Sequence, residues 1–339
     1  MKELLFKIRE KGKFGFINQH GEIVIEPQYF EAEDFYNGFS RVRLNDKLVP
    51  MDTMGRLLLK HVFKFVGYFE EDLAKAKLVN KWGYVNIRGD IQVPIQFDDA
   101  GDFSDGLAAV SLDGYYGYIK PTGVFEIEPQ FDHAFEFRGA LAPVCIDEQF
   151  GYIDKKGNLA IQPSFEKAFP FQEGVAVIVR NDKWGLLNKK GDLLLEPQFD
   201  LVDDFTNGEF FDGMAIIIQD YKFGFVDQEG NIVVPPRFNF AGDFGEGLAL
   251  VEENQHFGFI NKQGELVIEP QFEDAGVFSD GLAQVKIDAN WGFVNTDGHI
   301  VILPQFETVF PFRNGLALVE YQGHWAYIDR FGDIIWKEK

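Results

Sequence analysis

The feature that most limits the fold is a phrase that returns at a fixed interval. Phe257-Gly258-Phe259-Ile260-Asn261-Lys262-Gln263-Gly264-Glu265-Leu266-Val267-Ile268-Glu269-Pro270-Gln271-Phe272 spells it out. Its first glycine recurs at Gly15, Gly83, Gly117, Gly151, Gly185, Gly224, Gly258 and Gly292, while Val49 and Ala326 hold the same place in two worn copies. The step is 34 residues, as from Gly258 to Gly292, except for 39 from Gly185 to Gly224. A fixed period of this size means an array of one supersecondary unit, here in ten copies. Helical repeats can share the period, but not this content. Two fixed glycines, a frequent proline and period-two alternation all oppose helix.

Three strands can be read in each copy. Strand A is typified by Trp291-Gly292-Phe293-Val294-Asn295 and strand B by His299-Ile300-Val301-Ile302-Leu303. The loop between them, Thr296-Asp297-Gly298, carries glycine where φ must be positive. Strand C is of the type Leu248-Ala249-Leu250-Val251-Glu252, and the polar turn Glu253-Asn254-Gln255-His256 leads into the next strand A. The expected unit is therefore an antiparallel meander C-A-B, joined to the next by about a dozen residues.

That connector has its own code. An aromatic follows Pro-Gln, a small or branched residue comes three later, and then a phenylalanine: Phe35, Phe69, Phe103, Phe137, Phe171, Phe205, Phe244, Phe278 and Phe312. These rings are expected to fill the core between neighbouring copies, each burying roughly 150–250 Å². The code also explains the 37 phenylalanines of the chain.

Lys81-Trp82-Gly83, Lys183-Trp184-Gly185 and Asn290-Trp291-Gly292, with the phrase Glu-Pro-Gln-Phe-x-x-Ala-x-x-Phe-x-x-Gly-Leu-Ala, resemble the bacterial WG (or KWG) repeat family. The resemblance covers nearly the whole chain. Phe14, Tyr116, Phe150, Phe223 and Phe257 replace the tryptophan in other copies, and the second copy reads Leu48-Val49 there. The resemblance implies a β-repeat protein and no general activity.

The fold class expected is all-β: tandem three-stranded meanders in an open or superhelical solenoid-like array, with a closed propeller-like ring as the alternative. One continuous array should span residues 1–339, its second copy (about 40–63) degenerate. A five-residue insertion, Glu209-Phe210-Phe211-Asp212-Gly213, is read as a loop on one face, often the binding face in such arrays, or as a duplication of Asp204-Phe205-Thr206-Asn207-Gly208. The start, Met1 to Arg9, aligns with a C strand and carries charges where a signal peptide needs an apolar core. A cytoplasmic location is expected, or export as an effector without a cleavable signal peptide.

The search for chemistry returns little. His20, His61, His133, His256, His299 and His324 show no metal-ligand spacing with one another or with Cys145, the single cysteine. Asp102-Phe103-Ser104-Asp105-Gly106 lacks the ligand alternation of a calcium loop. No phosphate loop or nucleophile elbow is present. The expectation is a protein that is not an enzyme and holds no cofactor or metal.

Charge is the remaining signal. With 54 Asp and Glu against 32 Lys and Arg, the net charge is −22, which disfavours nucleic acid and anionic membrane as partners. The acids concentrate in connectors, including Asp98, Asp99, Asp102, Asp105, Asp203, Asp204, Glu273, Asp274 and Asp280. The leading expectation is a scaffold for protein–protein interaction, docking a protein partner, with a basic one matched by charge, on this acidic face. Asp99, Asp102, Asp203, Asp204, Phe210 and Phe211 are the candidate contact residues. The alternative is a carbohydrate or small-ligand module that uses exposed aromatics such as Trp82, Trp184 and Trp291.

Overall fold

The computed structural model describes residues 4–45, 47–58, 63–200 and 209–339. Every regular element among them is a β-strand, and none of the small antiparallel sheets closes into a barrel. The chain divides into two compact units, residues 1–18 with 23–197, and residues 19–22 with 198–339.

The C-A-B meander is the building block, as the period requires. In the ninth repeat Leu282–Ile287 pairs with Asn290–Asn295, which pairs with Ile300–Phe306. The connector supplies one more element than expected. Its two residues Asp274–Ala275 pair with Lys286 and Val285 and make a short fourth strand. The same addition occurs at Phe65–Val66, Asp99–Ala100, His133–Ala134, Lys167–Ala168 and Thr308–Val309, and more fully at Phe240–Gly245. Two paired residues are too short for alternation to reveal, so the meander is legible and its edge is not.

Strand pairing explains the first glycine. Between the pairs Trp291↔Phe306 and Phe293↔Ile302, Gly292 alone opposes Leu303, Pro304 and Gln305. This bulge brings strand B so close that a Cβ on Gly292 would lie 2.5 Å from the Ile302 carbonyl oxygen and 2.7 Å from the Pro304 nitrogen. The two worn copies show the converse. Ala326 pairs with Lys337 and Tyr327 with Trp336, so no bulge intervenes and a Cβ fits. Around Val49 the hairpin Phe39–Leu44 with Lys47–Asp52 is joined by isolated bridges, Ala32 to Val42, Tyr36 to Phe39 and Met51 to Leu57.

The second glycine closes the A–B turn. Gly264 has φ 79° and donates its N–H to the Asn261 carbonyl, while Asn261 Oδ1 accepts from the amides of Gln263 and Glu265 at 3.0 and 2.9 Å. The asparagine or aspartate ending strand A is thus an Asx-turn residue that fixes the loop.

The connector phenylalanines pack as expected. Tyr84–Phe103, Tyr118–Phe137, Phe225–Phe244, Phe259–Phe278 and Phe293–Phe312 meet edge-on with ring centroids 4.8 Å apart. Each such pair contributes about 0.5–1.5 kcal/mol beyond area burial. The cores lie between consecutive sheets: Phe259, Ile268 and Phe272 of one repeat share a cluster with Phe278, Val285 and Val294 of the next.

The loop after each connector ring is equally regular. Ser104 bridges Leu107, Arg138 bridges Leu141, Ser279 bridges Leu282, and Phe211 bridges Met214. That register corrects the reading of the insertion. Phe210, only 4% exposed, stands one residue before the bridge, where Phe103, Phe137 and Phe278 stand in their repeats. Residues 209–213 are therefore the regular loop, and the surplus falls before Glu209, outside the described residues. Asp203, Asp204 and Phe205 fall there too.

Candidate binding site

Most connector acids turn out to hold the backbone. The acid after the phenylalanine that ends strand B accepts an amide from the C–A turn of its following repeat: Asp98 from Asp113, Asp132 from Asp147, Glu166 from Asn181, Glu273 from Ala289 and Glu307 from Gln322. These turns need such anchoring, because their residues adopt positive φ without glycine in cases such as Asp147 with Glu148 and Asp288 with Ala289. At Asp98 the Lys81 ammonium, then the Asp113 amide, holds the carboxyl below its ordinary range.

A second set links one repeat to the next. Asp105 accepts from the Ala140 amide, Asp212 from Gly247, Glu246 from Gly281 and Asp280 from Gly315, at 2.6–2.9 Å. Glu71 receives the Gly106 amide in the same way. These acids sit at the tip of the same tight turn in each repeat. Their sequence signal is periodicity: an acid held at one place in many copies follows the structure of the repeat.

Asp99 and Asp102 belong to neither set, and the structure brings them together. Both line a recess of about 240 Å³ in the first unit, with Gly101, Tyr116, His133, Phe135 and Glu136. Strands Asp99–Ala100 and His133–Ala134 place its two sides. Tyr116 donates its hydroxyl to Asp99 Oδ2 at 2.7 Å, and its ring lies 5.8 Å from that of His133. Burial first, then Asp99, pushes the phenol up to about 12, so it stays a donor across the neutral range. Lys75 Nζ lies 3.0 Å from Asp102 Oδ2, and Arg138 lies 3.3 Å from Glu136 Oε1. Among the described residues Asp99 pairs with no cation and has the neutral tyrosine as its side-chain partner. Phe135 is 41% exposed and offers an apolar wall.

From sequence Tyr116 is only a copy of the motif aromatic and His133 only a histidine without metal-ligand spacing, while Phe135 and Glu136 carry no signal of their own. The available signal was variation between copies. The place of Asp99 is taken by His133, Lys167, Phe240, Asp274 and Thr308 in other repeats, and that of Asp102 by Tyr68, Glu136, Pro170, Asp243 and Pro311.

The remaining candidates lie elsewhere. Phe210 is buried and so offers no contact surface, while Phe211 is 36% exposed. Trp184 is buried, and Trp82 and Trp291 are half-buried beneath the ammonium groups of Lys77 and Lys286. Among the described residues no group of three or more His, Cys, Asp and Glu side chains is placed to hold a metal ion, and no helix is long and apolar enough to cross a membrane.

The WG-containing repeat matches this chain nine times, at residues 14–47, 51–82, 82–116, 116–149, 150–184, 184–223, 223–255, 257–291 and 291–325. The chain belongs to the WG-repeat family. No curated protein sequence matches it. Among solved structures, this WG-repeat chain is similar to a eukaryotic initiation factor at 10% identity, over 99% of this chain and 96% of that one, with a TM-score of 0.59. A likeness at that identity shows a shared fold alone. PorZ of Porphyromonas gingivalis aligns at 11% identity and a TM-score of 0.33, over 98% of this chain and 61% of its own. Kluyveromyces lactis Hsv2 aligns at 11% identity and 0.36, over 77% and 94%.

Proposed function

We propose that this WG-repeat chain is a non-enzymatic scaffold that binds a basic protein partner. The observation that carries the reading is the recess lined by Asp99, Asp102, Tyr116, Phe135 and Glu136. Asp99, Asp102, Phe135 and Glu136 stand at connector positions that differ between copies, while Tyr116 stands at the motif aromatic of strand A. The other positions common to the copies make core and turns. Repeat arrays carry recognition on such variable positions while the invariant code maintains the fold. The net charge of −22 favours a cationic partner and speeds its encounter.

This reading is narrower than a general acidic face. Asp105, Asp280 and the acids directly after strand B are engaged with amides, so docking is assigned to Asp99, Asp102 and Glu136. The carbohydrate alternative has less support, since its tryptophans are covered or half-covered. The experiment is affinity capture with the full chain and with an Asp99→Asn, Asp102→Asn, Glu136→Gln triple variant at low salt. A protein retained by the former and lost from the latter is the expected result. Equal retention by both removes the recess from the reading, and no specific protein with either removes the scaffold.

A further inference from the structure

We propose that the recess holds one arginine side chain of the partner, with its guanidinium on Asp99 and its plane against Phe135 and Tyr116. The inference rests on the scaffold reading but commits to a ligand group. Size is the first argument. About 240 Å³ lies below the roughly 300–1,000 Å³ of sites for drug-sized ligands, and suits a single side chain.

Hydrogen-bonding capacity is the second. Tyr116 occupies Asp99 Oδ2, Lys75 occupies Asp102 Oδ2 and Arg138 approaches Glu136 Oε1. Among the described residues no hydrogen bond or ion pair engages the other oxygen of each carboxylate, Oδ1 of Asp99 and of Asp102 and Oε2 of Glu136. These acceptors call for a group with several donors, and guanidinium carries five in a planar fork. The walls are the third argument. Phe135 is 41% exposed and Tyr116 is half-buried, with Phe150 and His133 as their respective ring neighbours, so the surface these two rings still expose is aromatic and suits a cation. Lys75 on Asp102 shows the recess edge already seating a cation, of the ammonium kind.

Tyr116 sets the specificity. Its hydroxyl fixes the Asp99 carboxylate through Oδ2 and brings no cation of its own to that oxygen.

The test is a titration of the full-length chain with arginine amide and with citrulline amide, which keeps the α-amino group but replaces the guanidinium by a neutral ureido group, followed by the ring resonances of Tyr116 and His133. Arginine amide is expected to shift both resonances saturably with a Kd on the order of 1–10 mM, as one charge-assisted contact allows. Citrulline amide should leave them in place. Asp99→Asn, which keeps an acceptor for Tyr116, should weaken binding about tenfold. Asp297→Asn, an equal charge change in an exposed turn, should not. Equal shifts from citrulline amide, unchanged binding in Asp99→Asn, or no saturation would each overturn the proposal. The probe is independent of partner capture. A chain that binds arginine amide yet captures no protein loses the scaffold reading and keeps the recess, whereas the reverse result keeps the scaffold alone.

Discussion

The amide of Gly315 donates to Asp280 Oδ2 at 2.7 Å, joining the same tight turn of two successive repeats. Gly281 makes the equivalent bond to Glu246 one repeat earlier. A carboxylate accepting a part-buried amide contributes about 1.5–3 kcal/mol, more than a surface ion pair. Asp280→Ala should therefore lower unfolding stability by about 2 kcal/mol. Asp297→Ala, with the same change in net charge, should stay within about 0.5 kcal/mol. Urea midpoints of the two variants check this, and equal midpoints would show that the bond carries no weight.

Glycine placement gives a steeper prediction. A Cβ at Gly292 would press on the backbone of Ile302 and Pro304, neither of which is a flexible side-chain end. Gly292→Ala should cost about 3 kcal/mol or more, by forcing strand B away or off its bulge. Ala326, at the same place in the last repeat, faces strand Ile334–Lys337 without that bulge. Ala326→Gly should cost no more than about 1 kcal/mol. Thermal unfolding of the pair tests whether the bulge, and not the repeat position, imposes the glycine.

These two cases mark how far the sequence could be read. The period exposed the strands, both glycines and the Phe259–Phe278 type of contact, because core demands repeat in every copy. The connector acids misled, since composition alone cannot separate Asp280, bonded to Gly315, from Asp99, directed into a recess. Their difference is positional: Asp280 has an acidic counterpart in Asp105 and Glu246, whereas the place of Asp99 changes chemistry from copy to copy. The insertion was misplaced for a related reason. Phe205 and Phe210 both satisfy the connector code, and only the bridge between Phe211 and Met214 selects Phe210.

Alkaline pH offers a third test. Tyr84, Tyr118 and Tyr152 donate their hydroxyls to the carbonyls of Gly101, Phe135 and Phe169, and burial pushes all three phenols above their ordinary value of 10.0. Each is neutral in both folded and unfolded chains below that value. As pH rises past 10 the unfolded chain ionises first, so the protein should hold its stability to about pH 10 and lose it above. Tyr118→Phe removes one such group. It should cost about 1 kcal/mol at pH 7, by leaving the Phe135 carbonyl without its donor, and should reduce the alkaline loss. A pH series of denaturant midpoints for wild type and variant would read both effects. A loss of stability that begins well below pH 10 would contradict the assignment.

The C–A turns supply a prediction of opposite sign. Asp288 and Ala289 adopt φ of 50° and 67°, and Asp220 and Tyr221 adopt 50° and 59°. Alanine has no side-chain group to offset the left-handed conformation, whose cost is roughly 1–2 kcal/mol for an L-residue. Glycine at the second position of such a turn removes that strain but adds about 0.4–1 kcal/mol of unfolded-chain entropy. Gly12, Gly114 and Gly323 already occupy that position in other repeats, with φ of 72–89°. Ala289→Gly should therefore stabilise the protein by about 0.5 kcal/mol, with the Glu273 contact to the residue 289 amide preserved. Combining Ala289→Gly with Tyr221→Gly should nearly double the gain, because the turns lie in different repeats and share no hydrogen-bond partner. Urea unfolding of both single variants and the double variant decides the matter. A destabilised Ala289→Gly would mean that the turn holds its residues without strain.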